Sequence, residues 1–342
     1  MRQAPGRHLP PGRLHVFERK REMNRDDGTA LPADTPVQLG DIDPRVALPS
    51  TSRVYLLLTT QRLEDWAYRP SPPDAGAASA VAPSVIELVR ALESFAPRRW
   101  LWANSPLADM EERGPLLVDA TDKPALLEQA ITDWSEADGV IIIGTQVDLD
   151  TLARHLGSLV QITLPDHSQA TFNFQPTILE PWLSALGQPN RSQWLGPIQQ
   201  LLWRTHWHRR VSWFRLDHPE AASTADPQQR LHLHPLEMAA FDANTQDYFI
   251  ISLAEEVQAL SQYNAFSLEQ ICESVREKVR EAASVNIERD TDVRDFVLLH
   301  ARYPEPMGSE QAKALLEDPV ESPVSRLRNL TALISEKEFQ NE

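Results

Sequence analysis

One cysteine, Cys272, stands in a chain of 342 residues, which excludes an internal disulfide and a zinc site built on cysteine. Its place on the apolar face of a helical pattern with Leu268, Ile271, Val275 and Val279 predicts a buried structural thiol. Glycine is scarce, twelve in all. Gly139 and Gly144 flank the most apolar run yet stand in no GxxxxGKS/T or GxGxxG context, so neither phosphate-binding loop is there to be read. Basic residues are outnumbered: 33 Lys and Arg against 49 Asp and Glu give a formal net charge of -16. That balance argues against a broad surface for nucleic acid or an anionic membrane, because phosphate binding needs clustered Lys and Arg. No apolar run approaches the ~20 residues of a membrane span, and no signal-peptide core follows the basic start. HExxH and GxSxG patterns are missing, which removes any positive reason to name a catalytic class. The expectation is a cytoplasmic protein whose partners are proteins or small molecules; the missing motifs do not exclude an enzyme, but nothing names a catalytic class or a cofactor.

What the chain does contain is an alternation of strand and helix signals. Val54 to Leu58 and Val140 to Ile143 are apolar runs of the kind buried on both faces of a sheet. After the second run, Asp148 fits an N-cap for a short amphipathic helix with Leu149, Leu152, Leu156 and Leu159. Val160, Ile162 and Leu164 then alternate into a hairpin that resumes at Thr171 to Phe174. Ser84 with Glu87 makes a capping-box pattern ahead of Leu88, Val89, Leu92 and Phe95, and Ser267 with Gln270 repeats it farther on. Arg99 to Trp102 and Gly114 to Val118 read as extended, Pro124 to Trp134 as helical. Pro235 suits the first turn of a long helix reaching Leu260, and Val293 to Leu299, Ala312 to Leu316 and Leu327 to Ile334 supply further helices, five in this region at most. Glu111-Glu112 and Glu255-Glu256 read as solvated helix faces.

The predicted fold class is α+β: a mixed β-sheet lobe flanked by helices, followed by a smaller all-helical C-terminal lobe. Residues 1–50, rich in proline, read as a loosely attached arm, 51–215 as the sheet domain, 216–234 as a linker and 235–342 as the helical lobe. Residues 1–30 hold seven Lys or Arg and four Asp or Glu, a net of +3 against -19 for the rest; Met23 stands as an alternative translation start. Between Trp182 and Phe214 the chain turns aromatic, and Leu201 to Phe214 mixes rings with Arg204, Arg209 and Arg210. Such a mixture suits the centre of a protein interface, and equally a plain core or edge hairpin. The candidate partner-binding residues are Trp203, Trp207, Trp213 and Phe214 of this stretch with Phe241 and Tyr248 of the following helix, lining a cleft between lobes. His206, His208, His232 and His234 offer the alternative of a metal-dependent hydrolase.

Five segments occur in the order in which the type VI secretion effector adaptor chaperones carry them, and over about 54 to 203 the chain resembles that family. They are Val54 to Leu58; Ser105 to Leu107 with Arg113 to Val118; Gly139 to Ile143; His155-Leu156 with Val160 to Asp166; and Phe172 to Leu179 with Trp194 to Ile198. The helical third resembles the family's C-terminal extension at Leu236 to Leu253 and Thr291 to Leu299. The resemblance implies a cytoplasmic adaptor that binds one cognate secreted toxin and loads it onto the VgrG spike protein, with no nucleic-acid or membrane partner. An immunity protein that neutralises a neighbouring toxin is the third reading. One departure stands out. Where the family commonly reads Arg-aromatic-Tyr-Asp-Pro-Arg, this chain has Phe172, Asn173, Phe174, Gln175, Pro176 and Thr177. The missing charges have been replaced by neutral packing, or a shared partner is bound differently.

Overall fold

The structure, a computed structural model, describes residues 7–8, 35–40, 42–49, 51, 53–68, 83–207, 210–219, 221 and 230–341, with the side chains of Arg7, His8, Asn104, His206, Trp207, Arg210 and 336–341 left outside that description. The first elements are β1 (Arg7–His8), β2 (Val37–Gln38), β3 (Arg53–Leu58), α1 (Thr60–Ala67), α2 (Val85–Leu92), β4 (Arg98–Trp100) and β5 (Leu116–Asp119). There follow α3 (Pro124–Gln129), β6 (Val140–Thr145), α4 (Leu149–Ser158), β7 (Gln161–Thr163), β8 (Gln169–Thr171), α5 (Pro176–Ala185) and α6 (Gln188–Leu195). The hairpin β9 (Ile198–Trp207) and β10 (Arg210–Asp217) precedes α7 (Pro235–Gln258), α8 (Leu268–Ser284), α9 (Asp290–Arg302), α10 (Pro304–Met307), α11 (Glu310–Glu317) and α12 (Pro323–Asn341). The fold is α+β with a helical C-terminal part, as the sequence predicts.

A seven-stranded sheet in the order β2-β10-β9-β6-β3-β5-β4 organises the first unit. All its pairings are antiparallel; among the described residues parallel pairing is confined to β1 with β8 in the small sheet β1-β8-β7 and to a bridge from Thr163 to His232. β6 sits between β3 and β9 and every one of its residues is buried. With both faces covered, Val140 to Ile143 are all apolar, and the one polar member, Thr145, gives its hydroxyl to the Pro197 carbonyl. Ile141 and Ile143 join one core with Tyr55, Leu57, Leu117 and Trp203, under α4, α5 and α6. Val140 and Ile142 join the other with Leu56, Leu58, Leu116 and Val118, under α1, α2 and α3. The Ser84 capping box is formed, and Asp148 accepts from the Thr151 amide at 2.8 Å as the N-cap of α4.

Several boundaries differ from the sequence reading. α2 ends at Leu92, so Phe95 lies beyond the helix and is 91% exposed rather than part of its apolar face. α1, α5 and α6 have no counterpart in that reading. α5 and α6 carry proline in their first turns, where a missing N–H costs nothing, and α5 tolerates Pro181 inside. Residues 37–38 of the expected arm pair with β10, and Leu39 and Ala47 are buried in the second core. At the other end of the sheet domain, the expected linker is part of the body: Leu231 and Leu233 are buried, and their backbones bond Thr163 at 2.9 Å on both sides. Residues 222–229, its centre, fall outside the described residues.

Two compact units result, with the boundary between Asn244 and Thr245, inside α7. The second unit packs α8, α9, α11 and α12 around Ile271, Val275, Val279, Phe296, Leu330 and Ile334. Cys272 is buried there as predicted, and burial pushes its thiol pKa up. The Ser267–Gln270 capping box is formed. Six α-helices lie wholly or partly in this C-terminal region, one more than the sequence suggests, because the one-turn α10 shows no periodicity. Glu256 is not a solvated face: only 13% of its side chain is exposed, and it takes a two-pronged bond from Arg294 at 2.9 and 2.7 Å.

Candidate docking surface

The aromatic residues singled out by the sequence divide between interior and surface. Trp203 and Phe214 are paired across the β9–β10 ladder and stack at 5.5 Å with 14° between ring planes. They are 0% and 8% exposed, so they hold the sheet to its core and cannot meet a partner. The sequence reading put them on a partner surface; the structure puts both rings in the core of the first unit. Trp213 is half-buried against the other face, and Phe241 is half-buried edge-on to Trp182 at 5.3 Å. Tyr248 is half-buried in the second unit, and the side chain of Trp207 lies outside the described residues.

The histidines likewise have other occupations. His234 caps α7: its Nδ1 accepts from the Leu236 amide at 3.3 Å, and its own amide donates to Glu237 at 2.8 Å. The exposed His232 uses its carbonyl to accept from Asn190. Among the described residues no three His, Cys, Asp or Glu side chains come together as a metal would require; the side chain of His206 and all of His208 fall outside them.

At the heart of the first unit the segments that carry the family resemblance meet. His155 on α4 is 3% exposed and bonds the Trp194 carbonyl through Nε2 at 2.9 Å. Burial outweighs that bond and pulls its pKa down to about 4, so the ring is neutral at physiological pH. Gly196 permits this approach, since a Cβ there would lie 2.4 Å from the imidazole and its φ is +50°. Thr145 ties the same turn to β6 through the Pro197 carbonyl at 2.6 Å. Phe172 and Phe174 pack edge to face at 5.0 Å and enclose Trp182 and Trp194. Phe172 is wholly buried within this ring cluster.

Outside this framework a groove of about 500 Å³ runs beside β4 in the first unit. Arg99, Leu101 and Ala103 form one wall, and Asp150, Ala153, Arg154 and Gly157 of α4 the other. Arg99 bonds Asp150 across it at 2.8 Å. Arg154 is exposed and meets no acidic group among the described residues. β4 is the last strand of the sheet order, so its outer side is an open edge among the described residues. Sequence reading missed this surface, although α4 shows it: Asp150, Ala153, Arg154 and Gly157 recur at helical spacing opposite the leucine face, with small residues at the centre.

The fold and this surface define an α+β scaffold with an open strand edge beside a groove. Comparison with known proteins gives the same stretch a family label without an activity. The family described as "Domain of unknown function (DUF4123)" matches residues 76–193, from the segment before α2 to the last turns of α6, and so includes the whole groove. The glycine–tRNA ligase beta subunit of Marinobacter nauticus is 26% identical over 252 residues, covering 70% of this chain but only 35% of that subunit. No solved structure matches.

Proposed function

We propose that the chain is an adaptor chaperone of type VI secretion, which binds a cognate toxin in the cytoplasm and hands it to the VgrG spike without transforming it. The observation that carries this reading is the family match at 76–193 falling inside the span 54–203 that resembles the adaptors; the matched domain is one known to occur in type VI secretion effector adaptors. The open strand edge supports it, because strand addition gives an adaptor main-chain affinity for an extended client segment. A ligase-like role on tRNA has less support: that relationship covers a minority of the larger subunit, and a net charge of -16 is the wrong sign for binding a polyphosphate.

Deleting the gene tests the proposal. The toxin should remain in the producing cell while the rest of the secretion apparatus still fires, and the cell should stay resistant to its siblings. Loss of resistance with normal toxin export would instead identify an immunity protein.

A further inference from the structure

We propose that the outer edge of β4 and the groove beside α4 take an extended segment of the client as one more strand of the sheet, with a carboxylate of that segment facing Arg154. This rests on the adaptor reading and locates its contact.

The backbone makes the first part of the case. The Asp119 amide donates to the Pro97 carbonyl at 2.8 Å and the Leu101 amide to the Pro115 carbonyl at 3.0 Å. With the register Arg98↔Val118, Arg99↔Leu117 and Trp100↔Leu116, these bonds make Arg99–Leu117 the closely bonded pair. Arg99 therefore spends its N–H and C=O on β5, and the amides of Arg98 and Trp100 point away from the sheet; the Arg98 carbonyl is met by the Arg99 guanidinium at 2.9 Å, and the Trp100 carbonyl caps the 3-10 turn Leu101–Asn104. Two outward N–H donors of this kind are satisfied by the carbonyls of another strand. Arg99 lies on the α4 side of the sheet, as its bond to Asp150 shows. Every second side chain of an added strand would fall on that same side, over Ala153 and Gly157, which leave room for it.

Charge selects the occupant. Arg99 is balanced by Asp150, whereas Arg154 is a free cation among the described residues, on a chain whose net charge is -16. An acidic extended segment relieves it. A second copy of this chain would not, because antiparallel pairing of two β4 edges sets Arg98 and Arg99 of one copy against those of the other.

The test selects a phage-displayed library of random 12-residue peptides on the full chain, then measures the winning peptides on variants. Arg154 is exposed, so Arg154→Glu leaves the fold alone; Arg98→Pro removes an outward N–H that the β4–β5 ladder does not use. Peptides that alternate apolar residues with an acidic one should be enriched. Their affinity should fall about tenfold or more with either variant and stay near the parent value with Arg154→Lys. No enrichment, basic winners, or binding to Arg154→Glu or Arg98→Pro as tight as to the parent overturns the site. So does a parent chain that dimerises through this edge and becomes monomeric on Arg98→Pro. The adaptor role is judged apart from the site: toxin exported normally by cells carrying Arg154→Glu overturns the site and leaves the role standing, whereas normal export from the gene deletion removes both.

Discussion

His155 is a buried imidazole held neutral, and its cost appears on acidification. Its pKa is about 4 in the folded chain, against about 6.5 for a free histidine. Between those values the unfolded chain binds more protons, so stability is full above pH 6.5, falls as the pH drops toward 4, and levels off below. For this one group the loss from pH 7 to pH 5 is about 2 kcal/mol. All nine tryptophans lie before residue 245, so their fluorescence follows the first unit alone. Urea unfolding followed this way should shift to lower denaturant at pH 5, and His155→Gln should flatten the shift. An equal shift in the variant would mean that another group is responsible. Nothing in the local sequence marks His155 for this place, since its partner is a carbonyl 39 residues away and its neighbour a glycine whose need is set by that ring. For Trp203 and Phe214 the aromatic run is visible in the sequence, but which face of the strand meets solvent is not.

Elements were legible where their signals are local. The capping serines, the Asp148 cap and the apolar runs of β3 and β6 fix their own helices and strands, because cap geometry and period-two burial involve neighbours in sequence. What sequence could not show was the use of short pieces by distant ones: β2 on the edge of β10, residues 231–233 beside β7, and helices that start at proline. Arg326 is another such link. It is 5% exposed near the start of α12 and donates to the carbonyls of Val285, at the end of α8, at 2.7 Å and of Leu316, near the end of α11. One guanidinium thus serves two helix C-termini, which carry unpaired carbonyls and negative dipole ends. Arg326→Ala should cost about 2–4 kcal/mol in the second unit, from the lost bonds and the cavity. Hydrogen exchange should then rise in α8 and α12 and stay unchanged in β3 and β6. Unaltered protection of α8 would show that the carbonyls find other partners.

At the scale of the molecule, two units with separate cores are joined through a continuous α7, and the family match lies wholly in the first. Neither unit assembles a metal-binding cluster or a membrane-spanning helix among the described residues. The first unit presents an open strand edge with a groove among the described residues, and Trp213 and Phe241 are half-buried. The account holds that this chain acts through contact with a toxin it does not alter. The most direct measurement is native mass spectrometry of the full chain co-expressed with the toxin from its own gene cluster. The predicted result is a complex whose mass is the sum of whole chain and intact toxin copies. Free chain beside a cleaved or chemically modified toxin would contradict it.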